Sequence, residues 1–527
     1  MEKRAAQGSQ KRSEDSILKR SPFDLILNQI QRKTASVGKR ERPSVTRFFK
    51  GLAEEKSKAE KKKEIKTGEA NNSIADGHHQ DVSETGESEL PGPETADWRK
   101  VKQFCQKLGK KPNSKSMNLN NCGLTVTDIM ELVALLPLLP DVEELDVSWN
   151  DFIGGTLRPL TLELHRVSQL KILRLSNCRL TADDTDALGQ ALKLIPHLEE
   201  MDLSWNGNIG GNLHPIVQRF QKGCSLKVLR LIDCNLTADD GISLAQALDT
   251  MQNLEVLDLS MNKHIGCSLR IIAQELKNIP NLNALKLHMC GLLQDHIQFL
   301  TQVIPLLASL EVLNISSNKN IGRACEHLLS RLRFLPKLKS VFVNNCALQE
   351  GSFTALAEAT LHLSGMEELD LSWNKCVGGN LKKLLDAMSV ATDLQVLSLN
   401  SCNLVTEDLA ELASVIQAGH LERLQKLDLS YNDSVADEGW TVFFQCLHKL
   451  KDLSDLDISL RPLSSRYCGA WFGSLLASLI KMPTLTDFGV QRWVLTTLEQ
   501  RQLESFNKKN KRDIHFDCCC SAQDITK

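Results

Sequence analysis

The sequence predicts an α/β solenoid: one short strand and one helix per unit, stacked so that a parallel sheet lies inside and helices lie outside. Three observations carry that class. Apolar pairs recur at Met117/Leu119, Leu145/Val147, Leu173/Leu175, Met201/Leu203, Leu229/Leu231, Leu257/Leu259, Leu285/Leu287, Leu313/Ile315, Val341/Val343, Leu369/Leu371 and Leu397/Leu399, each pair 28 residues after the last. A fixed period of this length is the mark of one supersecondary unit repeated along a chain. Second, the position three residues past each pair alternates between Asn and Cys. Third, a helical pattern follows that position in every unit.

The elements follow from these patterns in order. Apolar residues two apart share one face of a strand, because side chains alternate along an extended chain. The backbone must then turn while buried, and its polar groups need partners. An Asn amide both donates and accepts, so stacked Asn side chains can hold such a turn. The sequence places Asn150, Asn206, Asn262, Asn318, Asn374 and Asn432 there, alternating with Cys122, Cys178, Cys234, Cys290, Cys346 and Cys402. Cys is a small, weakly donating substitute at the same place. In the Cys-type units, Thr181 and Thr237 stand three residues before Asp184 and Asp240, a helix-start signature with Asp in place of Glu or Gln. Leu188, Ala191, Leu192 and Ile195 then follow at helical spacing. In the Asn-type units, Gly154-Gly155, Gly210-Gly211 and Gly378-Gly379 supply a tight turn before the helix. Anchors at Leu427/Leu429 and Leu456/Ile458 continue the series with longer steps of 30 and 29.

The spacing LxxLxLxxN/C resembles the leucine-rich repeat signature, and the Asn/Cys alternation in 28-residue units resembles the ribonuclease-inhibitor subtype. The resemblance covers roughly residues 100 to 480. It implies a horseshoe whose open inner face binds proteins. The expected organisation is a charged, disordered tail (1–95), an N-terminal cap (96–116), repeats (117–480), a C-terminal cap (481–515) and a short cysteine-bearing tail (516–527).

Composition narrows the function. With 527 residues, 42% of them hydrophobic, and a formal net charge of −2, the chain can bury a long core and has no bulk bias toward nucleic acid. Lys3 through Lys50 make the first part of the tail basic, and the stretch from Glu69 to Asp97 is acidic. No apolar run of transmembrane length and no signal peptide is visible, so the expected site is the cytoplasm, with the nucleus as the alternative. The 16 cysteines show neither CxxC pairs nor zinc spacing and read as reduced thiols. Membrane contact is expected only if Cys518, Cys519 and Cys520 are acylated.

No phosphate-binding loop, HExxH or GxSxG is present, so no enzyme, cofactor, metal or small-molecule substrate is expected. The candidate site is the inner face of the sheet. Trp149, Trp205, Met261, Trp373 and Tyr431 are read as outward positions, and Trp and Tyr favour binding hot spots. Asp146, Asp202 and Asp258 alternate with Arg174, Arg230 and Lys286, a half expected to neutralise itself through neighbouring Asp–Arg pairs. Asp370, Asp428 and Asp457 lack such neighbours and mark a candidate surface for a basic partner segment. The function read from the sequence is a non-enzymatic intracellular scaffold for protein partners. The alternatives are an inhibitor that engulfs one enzyme, as the ribonuclease inhibitor does, and a nuclear regulator acting through the basic tail.

Overall fold

A computed structural model describes residues 96–517, and within them a 14-stranded parallel sheet runs in chain order. The anchors pair in register: Met117 lies beside Leu145, Leu257 beside Leu285, and Leu427 beside Leu456. Parallel neighbours require a crossover between strands. Helices such as Ala182–Ala191, Ala238–Leu248 and Thr406–Gln417 provide it, with Leu188, Ala191, Leu192 and Ile195 buried against the strands.

Both ends of the core are closed by added structure. At the start, helix Ala96–Lys107 buries Val101 and Phe104 over the first repeat. At the far end the sheet does not stop at residue 480. Helix Trp471–Leu479 leads into strand Asp487–Gly489, which pairs with Asp455–Asp457. This last strand was illegible because Phe488, at a longer interval, replaces the Leu anchor. Trp440, Trp471 and Trp493 are buried there, with Trp471 and Trp493 edge to face at 4.9 Å. The Trp493 indole donates to the Ile458 carbonyl at 2.8 Å, and the Arg466 guanidinium lies 5.3 Å from its ring centre. Such a plug is the physical answer to a solenoid whose last unit would otherwise expose its core. The tail 1–95 and Cys518, Cys519 and Cys520 lie outside the described residues.

Each buried Asn fastens the turn of the repeat before it. Asn262 Oδ1 accepts from the Cys234 and Leu236 amides at 3.0 Å each. Its Nδ2 donates to the carbonyls of Leu231 (2.7 Å), Leu259 (2.8 Å) and Ser260 (3.2 Å). Asn150, Asn206 and Asn432 repeat the whole set, and Asn318 and Asn374 bond their preceding turns alike. One Asn therefore serves two units, which is why every second repeat can do without it. There the thiol suffices: Cys178, Cys234, Cys290, Cys346 and Cys402 donate to the strand-end carbonyl of the preceding unit at 3.2–3.4 Å. Burial pushes the thiols of Cys178, Cys234 and Cys346 up to about 12, which keeps them protonated as donors. Every described cysteine is free.

The glycine pairs and the helix-start aspartates are one device. Thr181 and Asp184 form the reciprocal cap, and Asp184 also accepts from the Gly155 amide (2.6 Å) and the Leu157 amide (3.1 Å) of the preceding unit. Asp240 does the same for Gly211 and Leu213, and Asp408 bonds Gly379. Gly211 has φ +80, and a Cβ on Gly210 would stand 2.0 Å from the Asn235 carbonyl oxygen. The first glycine thus permits close approach of the next repeat, and the second permits the left-handed turn that aims its amide at the Asp. The first repeat has no preceding turn. There Lys107 of the capping helix bonds Asp128 at 2.6 Å. Burial alone would raise the Asp128 carboxyl, but bonds from Lys107 and Thr125 bring it down to about 2.

Asn262→Ala strands two buried amides, at roughly 1–3 kcal/mol each. The variant is expected to lose at least about 2 kcal/mol in urea unfolding. Its hydrogen exchange should quicken at Cys234 and Leu236, and a variant with protection there intact would contradict the stapling role.

Candidate functional site

The strands are three residues long, and their first and third residues face away from the helices. Ser116–Asn118, Glu144–Asp146 and Ile172–Arg174 set the pattern for the inner face. Each strand-end Asp accepts from the amide two residues on: Asp146 from Ser148 (2.9 Å), Asp370 from Ser372 (2.9 Å), Asp428 from Ser430 (2.9 Å) and Asp457 from Ser459 (2.8 Å). Ser hydroxyls then accept from the next unit, as Ser148 Oγ does from the Ser176 amide at 3.0 Å. Much of the Asp/Ser pattern is therefore a bracket that extends the ladder past the strand.

Trp149, Trp205, Met261, Trp373 and Tyr431 do not lie on strands. They sit beyond the strand end in a turn with φ of 62, 63, 66, 63 and 60, and their amides continue the ladder to the next unit. They are not strand positions as the sequence suggested, because the residue before each ladder position, Asn or Cys alike, takes a left-handed turn. The three Trp side chains are 50%, 40% and 41% exposed along one rim of the inner face. Met261 and Tyr431 are half-buried. In four of the six Cys-type units the equivalent residues are Asn121, Asn177, Asp233 and Asn345, types that adopt a left-handed turn readily; the other two are Met289 and Ser401. Placing Trp there opposes the backbone preference.

The charges pair differently from the sequence expectation. Arg174 binds Glu144 and, at 2.8 Å, Glu200, not Asp146 or Asp202. Arg230 binds Glu200 at 2.7 Å, and only Lys286 approaches an Asp, Asp258 at 3.9 Å. The Asp oxygens are engaged by Ser amides, so the guanidinium turns to the first strand position instead. Partial burial would raise the Glu200 carboxyl, yet Arg174 and Arg230 hold it below its ordinary value. A second row, just before the strands, alternates Lys115, Glu143, Lys171, Glu199 and Lys227 and pairs Lys171 to Glu143 and Lys227 to Glu199 at 2.7 Å. Both rows become legible once the sequence is read in 28-residue register at the positions flanking each anchor.

The C-terminal half lacks this compensation. Burial raises the carboxyls of Glu368, Asp370 and Asp428, and neighbouring acids add to it: Asp370 acts on Glu368, Asp428 on Asp370, and Asp457 on Asp428. Lys426 faces them, but its amine bonds Asp455 at 2.7 Å. Gly489 on the last strand leaves room for Asp457, since a Cβ there would lie 2.4 Å from its carboxyl. Between the two halves, Val228, Val256, Ala284 and Val312 occupy the first position of four adjacent strands and form an aliphatic middle.

A family model described as "Leucine Rich repeat" matches residues 421–442. The ribonuclease inhibitor of Sus scrofa is 29% identical over 332 residues, which cover 62% of this chain and 72% of that one. The fold is a leucine-rich repeat solenoid, similar in its repeats to the ribonuclease inhibitors. A second relative, "NACHT, LRR and PYD domains-containing protein 14" of Mus musculus, is 31% identical over 46% of the chain. The leucine-rich repeat protein spans only 24% of that relative's length. A solved leucine-rich repeat protein of Leptospira interrogans aligns over 81% of the chain and 100% of its own, with 13% identity and a TM-score of 0.41. Among the described residues of the leucine-rich repeat protein, no helix is long and apolar enough to cross a membrane.

The raised carboxyls give a signed pH prediction. A folded acid that holds its proton more tightly than the unfolded chain destabilises the fold once ionised. For Asp370 and Asp428 that loss is absent well below pH 3.8, their ordinary value, and complete above their raised values. Asn can keep the bracket, since Asn314 Oδ1 already accepts from the Ser316 amide at 3.0 Å. The double variant Asp370→Asn/Asp428→Asn is expected to melt roughly 1–2 °C higher at pH 7. The gap should close as the pH falls below 3.8; a gap independent of pH would exclude ionisation as its cause.

Proposed function

We propose that this leucine-rich repeat protein is a non-catalytic scaffold that binds protein partners on the open inner face of its sheet. The observation that carries the reading is the rim of Trp149, Trp205 and Trp373, with Tyr431 continuing the row, all held at positive φ. A bulky residue in a left-handed turn costs on the order of 1–3 kcal/mol, and such strain collects at functional positions. The aliphatic middle and the uncompensated Asp370, Asp428 and Asp457 add a surface that a partner with apolar and basic groups would complement. The regularity of the acids along the sheet supports a binding surface over a catalytic centre, which needs one singular constellation. Cytoplasmic residence accords with the free thiols.

A second reading, an inhibitor that engulfs a single enzyme, is favoured by the similarity to ribonuclease inhibitors. One enzyme bound with nanomolar affinity would support it, and several weaker partners would support the scaffold. Regulation in the nucleus through the basic stretch Lys3–Lys50 is the third reading, tested by deleting residues 1–95.

Tagged full-length protein is to be purified from cells beside a bait in which Trp149, Trp205, Trp373 and Tyr431 are all changed to Asn, which tolerates the left-handed turn. The expected result is loss of a defined set of partners from the variant, with melting unchanged or raised. An identical partner list from both baits would remove the inner face as the working site.

A further inference from the structure

We infer that the inner face between the Asp370 and Asp428 strands receives one arginine side chain of a protein partner, with Trp373 and Tyr431 flanking its stem and Glu368, Asp370 and Asp428 facing its guanidinium. The inference rests on the inner-face reading and deepens it.

The N-terminal half of the same sheet contains the internal template. There the chain's own Arg174 lies on the strand between Asp146 and Asp202 and is bound by Glu144 and Glu200. In the matching register Ser398 lies between Asp370 and Asp428, and Glu368 takes the place of Glu144. Lys426 takes the place of Glu200 but bonds Asp455 at 2.7 Å, so Glu368, Asp370 and Asp428 are the carboxylates to which the chain supplies no guanidinium.

Unpartnered polar atoms mark the same spot. Among the described residues, four buried side-chain polar atoms have no hydrogen-bond partner; two are indole nitrogens of the C-terminal core, and the others are Asn400 Oδ1 and Ser401 Oγ. Ser401 is only 5% exposed. The Asn400 amide is oriented by a chain of bonds: its Nδ2 donates to Ser430 Oγ, which donates to Asp428 Oδ1 at 2.6 Å. Its oxygen is therefore the unused acceptor, beside the acids. Leaving buried acceptors unmet is costly, and a ligand rich in donors removes that cost.

The rim supplies the walls. Trp373, Ser401 and Tyr431 hold the left-handed turn position in three consecutive units. Two strand spacings separate the aromatic residues by about 10 Å, so a group midway lies about 5 Å from each, within cation–π range. Ser401, small, forms the floor between them. From Ser401 back to Ser398 is about 10 Å along the strand, a span that an extended arginine entering over the rim largely covers. Arginine suits the site better than lysine, because its planar fork of five donors can meet several carboxylates and an amide oxygen at once.

The test uses the full chain labelled with 5-fluorotryptophan, and the probe is the capped tripeptide acetyl-Gly-Arg-Gly-amide. Its neutral isostere, with citrulline for arginine, is the control. Trp373→Phe assigns the Trp373 fluorine signal. Up to about 20 mM arginine probe, well above the millimolar Kd of a single side chain, the Trp373 signal is expected to move saturably. The signals of Trp149 and Trp205 should stay fixed, and the citrulline probe should move none. Ser398→Arg should supply the guanidinium from within, weakening the response at least about tenfold and raising Tm, while Ser398→Ala keeps it. No Trp373 shift, an equal shift with citrulline, or a response undiminished in Ser398→Arg would overturn the inference. If the Asn-substituted bait loses its partners while the arginine probe does nothing, the inner-face reading stands and this inference falls. An arginine response beside an unchanged partner list would do the reverse.

Discussion

The buried Asn amide, bonded to two units at once, is the interaction on which this molecule depends. A three-residue strand cannot hold a sheet by itself, and the turn after it buries amides and carbonyls that water cannot reach. Asn262, bonding the Cys234 and Leu236 amides behind it and three carbonyls, converts that liability into a joint between units. Because one amide serves two turns, the intervening unit needs only a thiol. The residue before each ladder position, Asn or Cys alike, takes a left-handed turn, and in three Asn-type units that residue is an exposed Trp. The ladder that stabilises the stack therefore also sets where the candidate binding rim stands.

The helix side is joined by a second, electrostatic device. Asp184, Asp240 and Asp408 each cap their own helix and also hold the glycine turn of the unit before. Where Cys267 and Arg323 replace the second glycine, the following helix has His296 or Ser352 instead of the Asp. The two positions, 29 residues apart, behave as one feature.

The inner face is divided by how its charges are met. Arg174 and Arg230 occupy the acids of one half from within the chain. In the other half, Glu368, Asp370 and Asp428 crowd each other around polar atoms that the fold leaves unmet. Such a surface is less stable by itself than a neutral one would be, and it is the half whose charge a basic group would complement.

The sequence by itself determined the solenoid, because a period of 28 with Leu anchors and alternating Asn and Cys admits one stacking and one register. It also determined the helix starts at Thr181 and Thr237, since capping is a local matter of neighbouring residues. The tertiary structure decided what depends on contacts between units: that Glu144 and Glu200, not Asp146 and Asp202, bind Arg174; that the first glycine of each pair makes room for a carbonyl of the following unit; and that the sheet gains a last strand at Phe488. It also decided that the Trp side chains stand on a rim and not on a strand, because the residue before the ladder position turns left-handed in Asn-type and Cys-type units alike.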